Sequence, residues 1–269
     1  MAAASESQGN MPGFRTVLTD PNERYCENII GCGLFDAFRK TAKRICDLGW
    51  ASDNAGNISI RESRRRGRFF ITAAGSKFKE LRPQDIVLVS GVEMYVGDES
   101  IRMGNNLGDC LAVAMHSLER QKMMGDVREH TGIKEITLEN LPKVLRFLNS
   151  TGMVSFLVNA VGHRKPSSEA LLHAMIYAKR WGWLDEVNGI LHCHKLADSS
   201  VSSTPTPFRD IGYGNIQLAV EAVLTLKKED MVQLTDHGII TVTSEYHNEQ
   251  DYGRVFNSAF DKTIKKCMK

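Results

Sequence analysis

Residues 49–89 read GWASDNAGNISIRESRRRGRFFITAAGSKFKELRPQDIVLV, and the fold turns on a change of rhythm around them. Ahead of Gly49, the apolar residues Ile30, Leu34, Phe38 and Ile45 recur at helical spacing. That spacing predicts one helix over about 23–48, with Gly49 as its C-terminal glycine. Beyond Gly49 the period falls to two. Ile58 and Ile60 alternate with polar neighbours, RFFIT follows at 68–72, and IVLVS at 86–90 leads into a second hairpin. The basic run ESRRRGR between the first two strands reads as a solvated hairpin turn rather than a phosphate or nucleic-acid patch.

Working outward, 104–159 returns to helical texture. Leu111, Met115 and Leu118 form one apolar row, and Thr137 is placed to cap a helix TLENLPKVLRFL with Pro142 in its early turns. The apolar run MVSFLV closes that section. PSSEALLHAMIYAKR reads as an amphipathic helix capped by Ser167 or Ser168, and GILHCH at 189–194 as a short strand. A Ser/Thr/Pro-rich loop to Pro207, a helix over about 215–227, a strand pair in MVQLTDHGIITVT and a helix from about 249 complete the chain. Helices and strands interleave without βαβ regularity, and several strand pairs are tightly joined. The expectation is an α/β fold: a mainly antiparallel sheet with helices on its faces.

At 269 residues, 42% hydrophobic and 25% charged, the composition is that of a globular protein with a sizeable core. The net charge of +2 gives no electrostatic case for a nucleic-acid partner. No apolar run reaches the ~20 residues that span a bilayer, so no membrane association is expected. The six cysteines are scattered without a CxxC pair, which predicts reduced thiols and a cytoplasmic location. The first 20 residues, small and polar at their start, carry no signal-peptide pattern and are expected to be disordered, with a single domain over 21–269.

Chemistry concentrates in a few places. In a strand, i and i+2 share a face, so His192 and His194 present two imidazoles side by side, suited to one metal ion. The alternative is a polar strand end. Cys193 then points to the opposite face, as core. His237, in DHG between two strands, is the best third ligand, although it could equally be a turn histidine bonding its own backbone. Three imidazoles would leave the metal an open position, as catalytic sites do. Glu169 sits in the first turn of the PSS helix, either as a helix-start acid or as a proton carrier next to a metal-polarised carbonyl. Ser167, Ser168 and the free amides beside them could receive a phosphate. AGNIS and TAAGSK place glycines at strand edges, where backbone amides can approach a ligand. His173 is expected to pack or hydrogen-bond, and His116, His130, His163 and His247 to be surface residues.

Taken in order, GWASDNAGNISIR, FFITAAGSKFKEL with RPQDIVLV, KPSSEALLH, NGILHCH and LTDHGII resemble the class II aldolase/adducin family, which includes the L-fuculose-1-phosphate and L-rhamnulose-1-phosphate aldolases. The resemblance implies a three-layer αβα sandwich with a mainly antiparallel sheet, assembled as a homotetramer. It implies a zinc-dependent aldolase, with Zn²⁺ or another divalent ion on His192, His194 and His237 and with Glu169 as the catalytic acid–base. Phosphate-binding positions fall on Asn57, Ala74, Gly75, Ser167 and Ser168, with Ala74 standing where such aldolases tend to carry threonine. The implied reaction cleaves or forms a carbon–carbon bond in a small phosphorylated ketose through a metal-stabilised enediolate. Epimerisation or dehydration of a sugar phosphate uses the same equipment, and a non-catalytic adducin-like binding module is the rival of another class.

Two departures from the family stand out. An additional segment occupies about 104–159, and the segment between His194 and Pro207 is short where the family supplies a tyrosine or acid to a neighbouring site. The expectation is that 104–159 is an ordered insertion that covers the metal site in place of the missing loop, with a surface elaboration or oligomer contact as the alternative. Tyr213 is a weaker candidate for the acid.

Overall fold

The computed structural model describes residues 14–51, 56–62, 67–102, 107–137, 139–177, 187–195, 200–211, 215–226, 229–244 and 251–267. In chain order they form β1 (Phe14–Thr19), α1 (Tyr25–Gly31), α2 (Leu34–Asp47), β2 (Asn57–Arg61), β3 (Phe69–Thr72), β4 (Ile86–Val96) and β5 (Glu99–Arg102). Then follow α3 (Leu107–Arg120), α4 (Met124–Thr131), α5 (Leu141–Ser150), β6 (Val154–Val161), α6 (Ala170–Tyr177) and β7 (Gly189–Cys193). The chain ends with α7 (Phe208–Ile211), α8 (Ile216–Thr225), β8 (Met231–Leu234), β9 (Gly238–Thr243) and α9 (Tyr252–Cys267).

The strands form one sheet in the order β1-β6-β4-β3-β2-β7-β9-β8, with β5 paired to β4 off this path. Every pairing is antiparallel except β1 with β6. Side chains alternate between the two faces and build two cores. On one face Ile58, Ile60, Leu191 and Cys193 pack with Leu34, Phe38 and Ile45 of α2 and Val255, Phe256 and Phe260 of α9. On the other, Phe69, Ile71, Val87, Val89 and Ile190 pack with residues of α4, α5, α6 and α8. The result is the expected three-layer αβα sandwich. Phe38 meets Phe256 edge-on, with ring centroids 4.9 Å apart.

Several expectations change in detail. The single helix over 23–48 is two, because Cys32 ends α1 and Gly33, at φ 76°, turns the chain before α2. Ile30, counted in the apolar row, is consequently half exposed. Gly49 does take the left-handed conformation, φ 68°, that closes α2. The first 20 residues are not all outside the fold: Phe14–Thr19 pairs along its whole length with β6 as an edge strand. Residues 1–13 lie outside the described residues. The helix expected from Thr137 begins at Leu141, since Pro142 lacks an N–H and is accommodated only in a first turn. The Thr137 N–H instead donates to Asn140 Oδ1 at 2.9 Å. Every residue of α6 is buried, so this stretch is covered on all sides rather than on one face; residues 178–180 of the expected helix lie outside the described residues.

The segment 104–159 is more than an addition to a finished domain. Its last part is most of β6, which lies between β1 and β4 and pairs with both. Ahead of it, Ala114, Leu118, Val127, Val144, Leu145 and Leu148 are buried in the same core as α6 and α8. It is therefore part of the sheet and of one helical layer. Residues 103–106 and 138, along with Tyr213 and His247, lie outside the described residues.

Candidate metal centre

β7 lies between β2 and β9, and its register fixes the neighbours of its histidine. His192 stands opposite Asn57 on β2 and Ile240 on β9. Its ring is fully buried on the face that also holds Ile190, whereas Cys193 points into the opposite core, as the alternation requires. His194 follows directly, anchored by its N–H to Trp50 O at 3.0 Å. His237 is delivered by the turn between β8 and β9. Glycines let both flanking turns close on this backbone. A Cβ on Gly238 would meet Cys193 O at 2.3 Å, and one on Gly56 would meet His192 O at 2.6 Å.

One nitrogen from each of His192, His194 and His237 lies within 4.8 Å of the others. Glu169, just ahead of α6 and buried, faces this cluster. Its Oε2 accepts from His192 Nδ1 at 2.6 Å and its Oε1 from His237 Nε2 at 3.1 Å. Asn57 Nδ2 donates to the same Oε2 and lies 3.3 Å from His192 Nδ1. Burial by itself would raise the Glu169 pKa, but the two imidazoles outweigh it and hold the carboxyl well below the usual range. Burial, with His192 and His237 alongside, pushes His194 down to about 4, so its ring is neutral near pH 7.

These features fit a divalent cation. A proton on His192 Nδ1, donated to Glu169, leaves the lone pair on Nε2, and that atom is buried with no hydrogen-bond partner among the described residues. A carboxylate behind a histidine is the arrangement that orients metal-ligating imidazoles, and a three-nitrogen donor set suits Zn²⁺ with room for a further ligand. His173, one turn beyond Glu169, does not join the cluster. Its Nδ1 lies 2.6 Å from Ser59 Oγ, which in turn lies 2.8 Å from Tyr177 Oη, and burial pushes its pKa down to about 3.

The other expected positions divide in two. Ala73 bridges to Pro166, and the Ala74 N–H donates to Lys165 O at 3.0 Å, which lays the exposed Ala74–Gly75 turn against Ser167 and Ser168. Ser167 Oγ accepts the Glu169 N–H at 3.3 Å, and its hydroxyl proton has no acceptor among the described residues. Asn57 is different. Its amide is committed to Glu169 beside His192, because the register with β7 puts it there. Sequence reasoning missed that role, and it missed the Ser59–Tyr177 support of His173. The strand pairing that creates both is long-range.

Residues 36–117 match the family model of the class II aldolase and adducin N-terminal domain. The chain resembles the class II aldolase and adducin family. The match to the class II aldolase/adducin model includes Asn57, Ala74 and Gly75 and ends ahead of Glu169 and the three histidines. Over 93 residues, 28% of this chain, the sequence is 33% identical to an L-fuculose phosphate aldolase of Methanocaldococcus jannaschii. The chain spans about half of that relative, 48% of its length. Among solved structures, the L-fuculose-1-phosphate aldolase of Thermus thermophilus is similar at TM-score 0.44 and 15% identity, over 86% of this chain and 91% of that one. A sugar-phosphate aldolase of Thermotoga maritima is similar at TM-score 0.45 and 16% identity, over 86% and 95% respectively.

Proposed function

We propose that this chain is a metal-dependent lyase of the class II aldolase type, cleaving or forming a carbon–carbon bond in a small phosphorylated ketose. The observation that carries the reading is the convergence of His192, His194 and His237 within 4.8 Å, backed by a buried carboxylate that touches two of them. A divalent cation, Zn²⁺ by the donor set, would be held by these three imidazoles and would supply Lewis acidity toward a carbonyl oxygen and the hydroxyl beside it.

The chain's own residues account for the rest of the chemistry. Cleavage passes the proton of the hydroxyl on the β carbon to water, breaks the bond between the α and β carbons, and releases an aldehyde while the electron pair passes to the carbonyl oxygen as an enediolate. The α carbon then needs a proton, and Glu169, ionised at rest, is placed to relay one from water to it in cleavage or to remove it in synthesis. Asn57 and the two imidazoles keep that carboxylate oriented and ionised until it is used. Ser167 and Ser168, the Ala74–Gly75 turn and the amides ahead of α6 offer donors to the substrate's phosphate. The resemblance also favours a homotetramer.

A screen of phosphorylated and free ketoses, read by aldehyde release from the metal-loaded protein, tests this. Aldehyde release from a phosphorylated ketose, lost in Glu169→Gln, is the expected result. Inversion of a stereocentre or loss of water without aldehyde would replace the lyase with an epimerase or dehydratase. No turnover on any ketose by protein that holds its metal would refute the enzyme reading.

A further inference from the structure

Arg164 lies between β6 and the serine pair, and no role has been given to it above. Its guanidinium is pinned from two sides. Nη1 donates to Asp85 Oδ1, and Nη2 donates to Ala74 O at 2.8 Å. Nη2 also lies 3.8 Å from the position a Cβ would occupy on Gly75. Asp85 is only 2% exposed, and its other oxygen accepts the Arg82 backbone N–H at 2.9 Å. Its backbone carbonyl takes the Ala73 N–H at 2.7 Å, so the carboxylate that fixes Arg164 is built into the same turn that carries Ala74 and Gly75.

The pair does not exhaust the arginine. A guanidinium carries five N–H donors, and Arg164 has two protein acceptors among the described residues, leaving Nε–H and one N–H on each Nη to donate. Nor is its charge cancelled. Asp85 is shared with Arg82, whose Nε lies 3.5 Å from Oδ2, so two guanidinium groups face one carboxylate. The Arg164 side chain is 34% exposed, open to a ligand yet held in place. An immobilised fork with spare donors and excess positive charge is the group best suited to a phosphate oxygen.

We propose that Arg164 is a specificity-determining residue of this site, supplying a cationic contact to the substrate's phosphate beside Ala74, Gly75, Ser167 and Ser168. The inference rests on the reading of that edge as the phosphate pocket and extends it. It explains how a pocket with alanine at position 74, which can offer no hydroxyl, selects a phosphorylated substrate. The contact assigned to Arg164 is a positive charge rather than a polar group.

The test measures inorganic phosphate affinity calorimetrically in the full chain and in four variants: Arg164→Gln, Arg164→Lys, the double variant Asp85→Asn/Arg164→Gln, and Ser167→Ala/Ser168→Ala. The Asp85→Asn/Arg164→Gln pair removes the buried charge that Arg164→Gln alone would leave to Arg82, so it guards against mere unfolding. Both Gln variants are expected to bind phosphate roughly tenfold or more weakly than the parent. Arg164→Lys keeps the charge but lacks the planar fork that spans Asp85 and Ala74, and should recover part of that loss. If the Gln variants bind as the parent does while Ser167→Ala/Ser168→Ala weakens binding, Arg164 has no such role and the pocket stands. If Arg164→Lys is no better than Arg164→Gln, the arginine acts only as a clamp on the turn and the proposal falls. A parent that binds no phosphate, with the serine variant indistinguishable from it, overturns the pocket and the proposal together.

Discussion

Gly238 is the residue on which the geometry of the histidine cluster depends most sharply, and Gly238→Ala tests it. Its φ of 150° is one that L side chains rarely adopt, and an added Cβ would lie 2.3 Å from Cys193 O and 2.9 Å from His194 Cα. Both are backbone atoms, so no side chain can swing away. Restoring an ordinary contact moves the β8–β9 turn and the end of β7 apart by roughly 1 Å, the scale of misplacement that costs on the order of 100-fold where groups must converge. Backbone strain and overlap together should destabilise the fold by about 2–4 kcal/mol. Urea unfolding of the metal-free protein reads the second quantity, and chelator competition for a bound divalent ion reads the first, with a loss of at least about tenfold expected. Gly253→Ala is the matched control. It lies in α9 with nothing within 4 Å of its added Cβ, and should stabilise by up to ~1 kcal/mol while leaving metal affinity alone. Gly238→Ala protein with the parent's stability and metal affinity would refute the argument that this close approach positions His237 and His194.

Glu169→Gln should retain the metal and the fold while turnover falls by ~10²–10⁴-fold, because the amide cannot carry the proton; steady-state rates beside metal content check this. Ser167→Ala/Ser168→Ala should raise KM about tenfold or more for a phosphorylated ketose and leave the unphosphorylated analogue unchanged, measured on both substrates. His173 has its pKa depressed by burial to about 3, so between the ordinary value of 6.5 and about 3 the unfolded chain binds a proton that the folded chain does not. Folding stability should therefore fall as pH drops through that window, by up to roughly tenfold in the folding constant per pH unit. His173→Gln should flatten the slope in denaturant titrations of the metal-free protein at stepped pH; an unchanged slope would exclude His173 as its source.

Much of the site was legible because its residues sit at punctuation marks. H-x-H declares its shared face in any strand, and the DHG and AGNIS glycines stand at the turns that let His237 and Asn57 reach β7. What escaped was set by pairing at a distance. The alternating burial of Val154–Val161 marks a strand, but only its neighbours β1 and β4 show that it completes the sheet, and a single sequence does not display that register. The apolar row of Ile30, Leu34 and Phe38 ran through Gly33, so the break between α1 and α2 was hidden inside a continuous period. The stretch from Glu169 into α6 looked amphipathic in part because Glu169 and His173 are polar, yet both are buried as members of the site and its support. The basic pair before PSS was the available signal for Arg164, and it acquires meaning only once Asp85 is seen to hold it.

The central claim is that His192, His194 and His237 bind one metal ion that the protein uses. Metal content of the full-length protein, purified without added metal and quantified per chain beside His192→Ala, His194→Ala and His237→Ala, measures this directly. About one divalent ion per chain, lost or sharply reduced in every variant while the fold is retained, is the expected result. A parent without bound metal, or variants that keep a full complement, would contradict it.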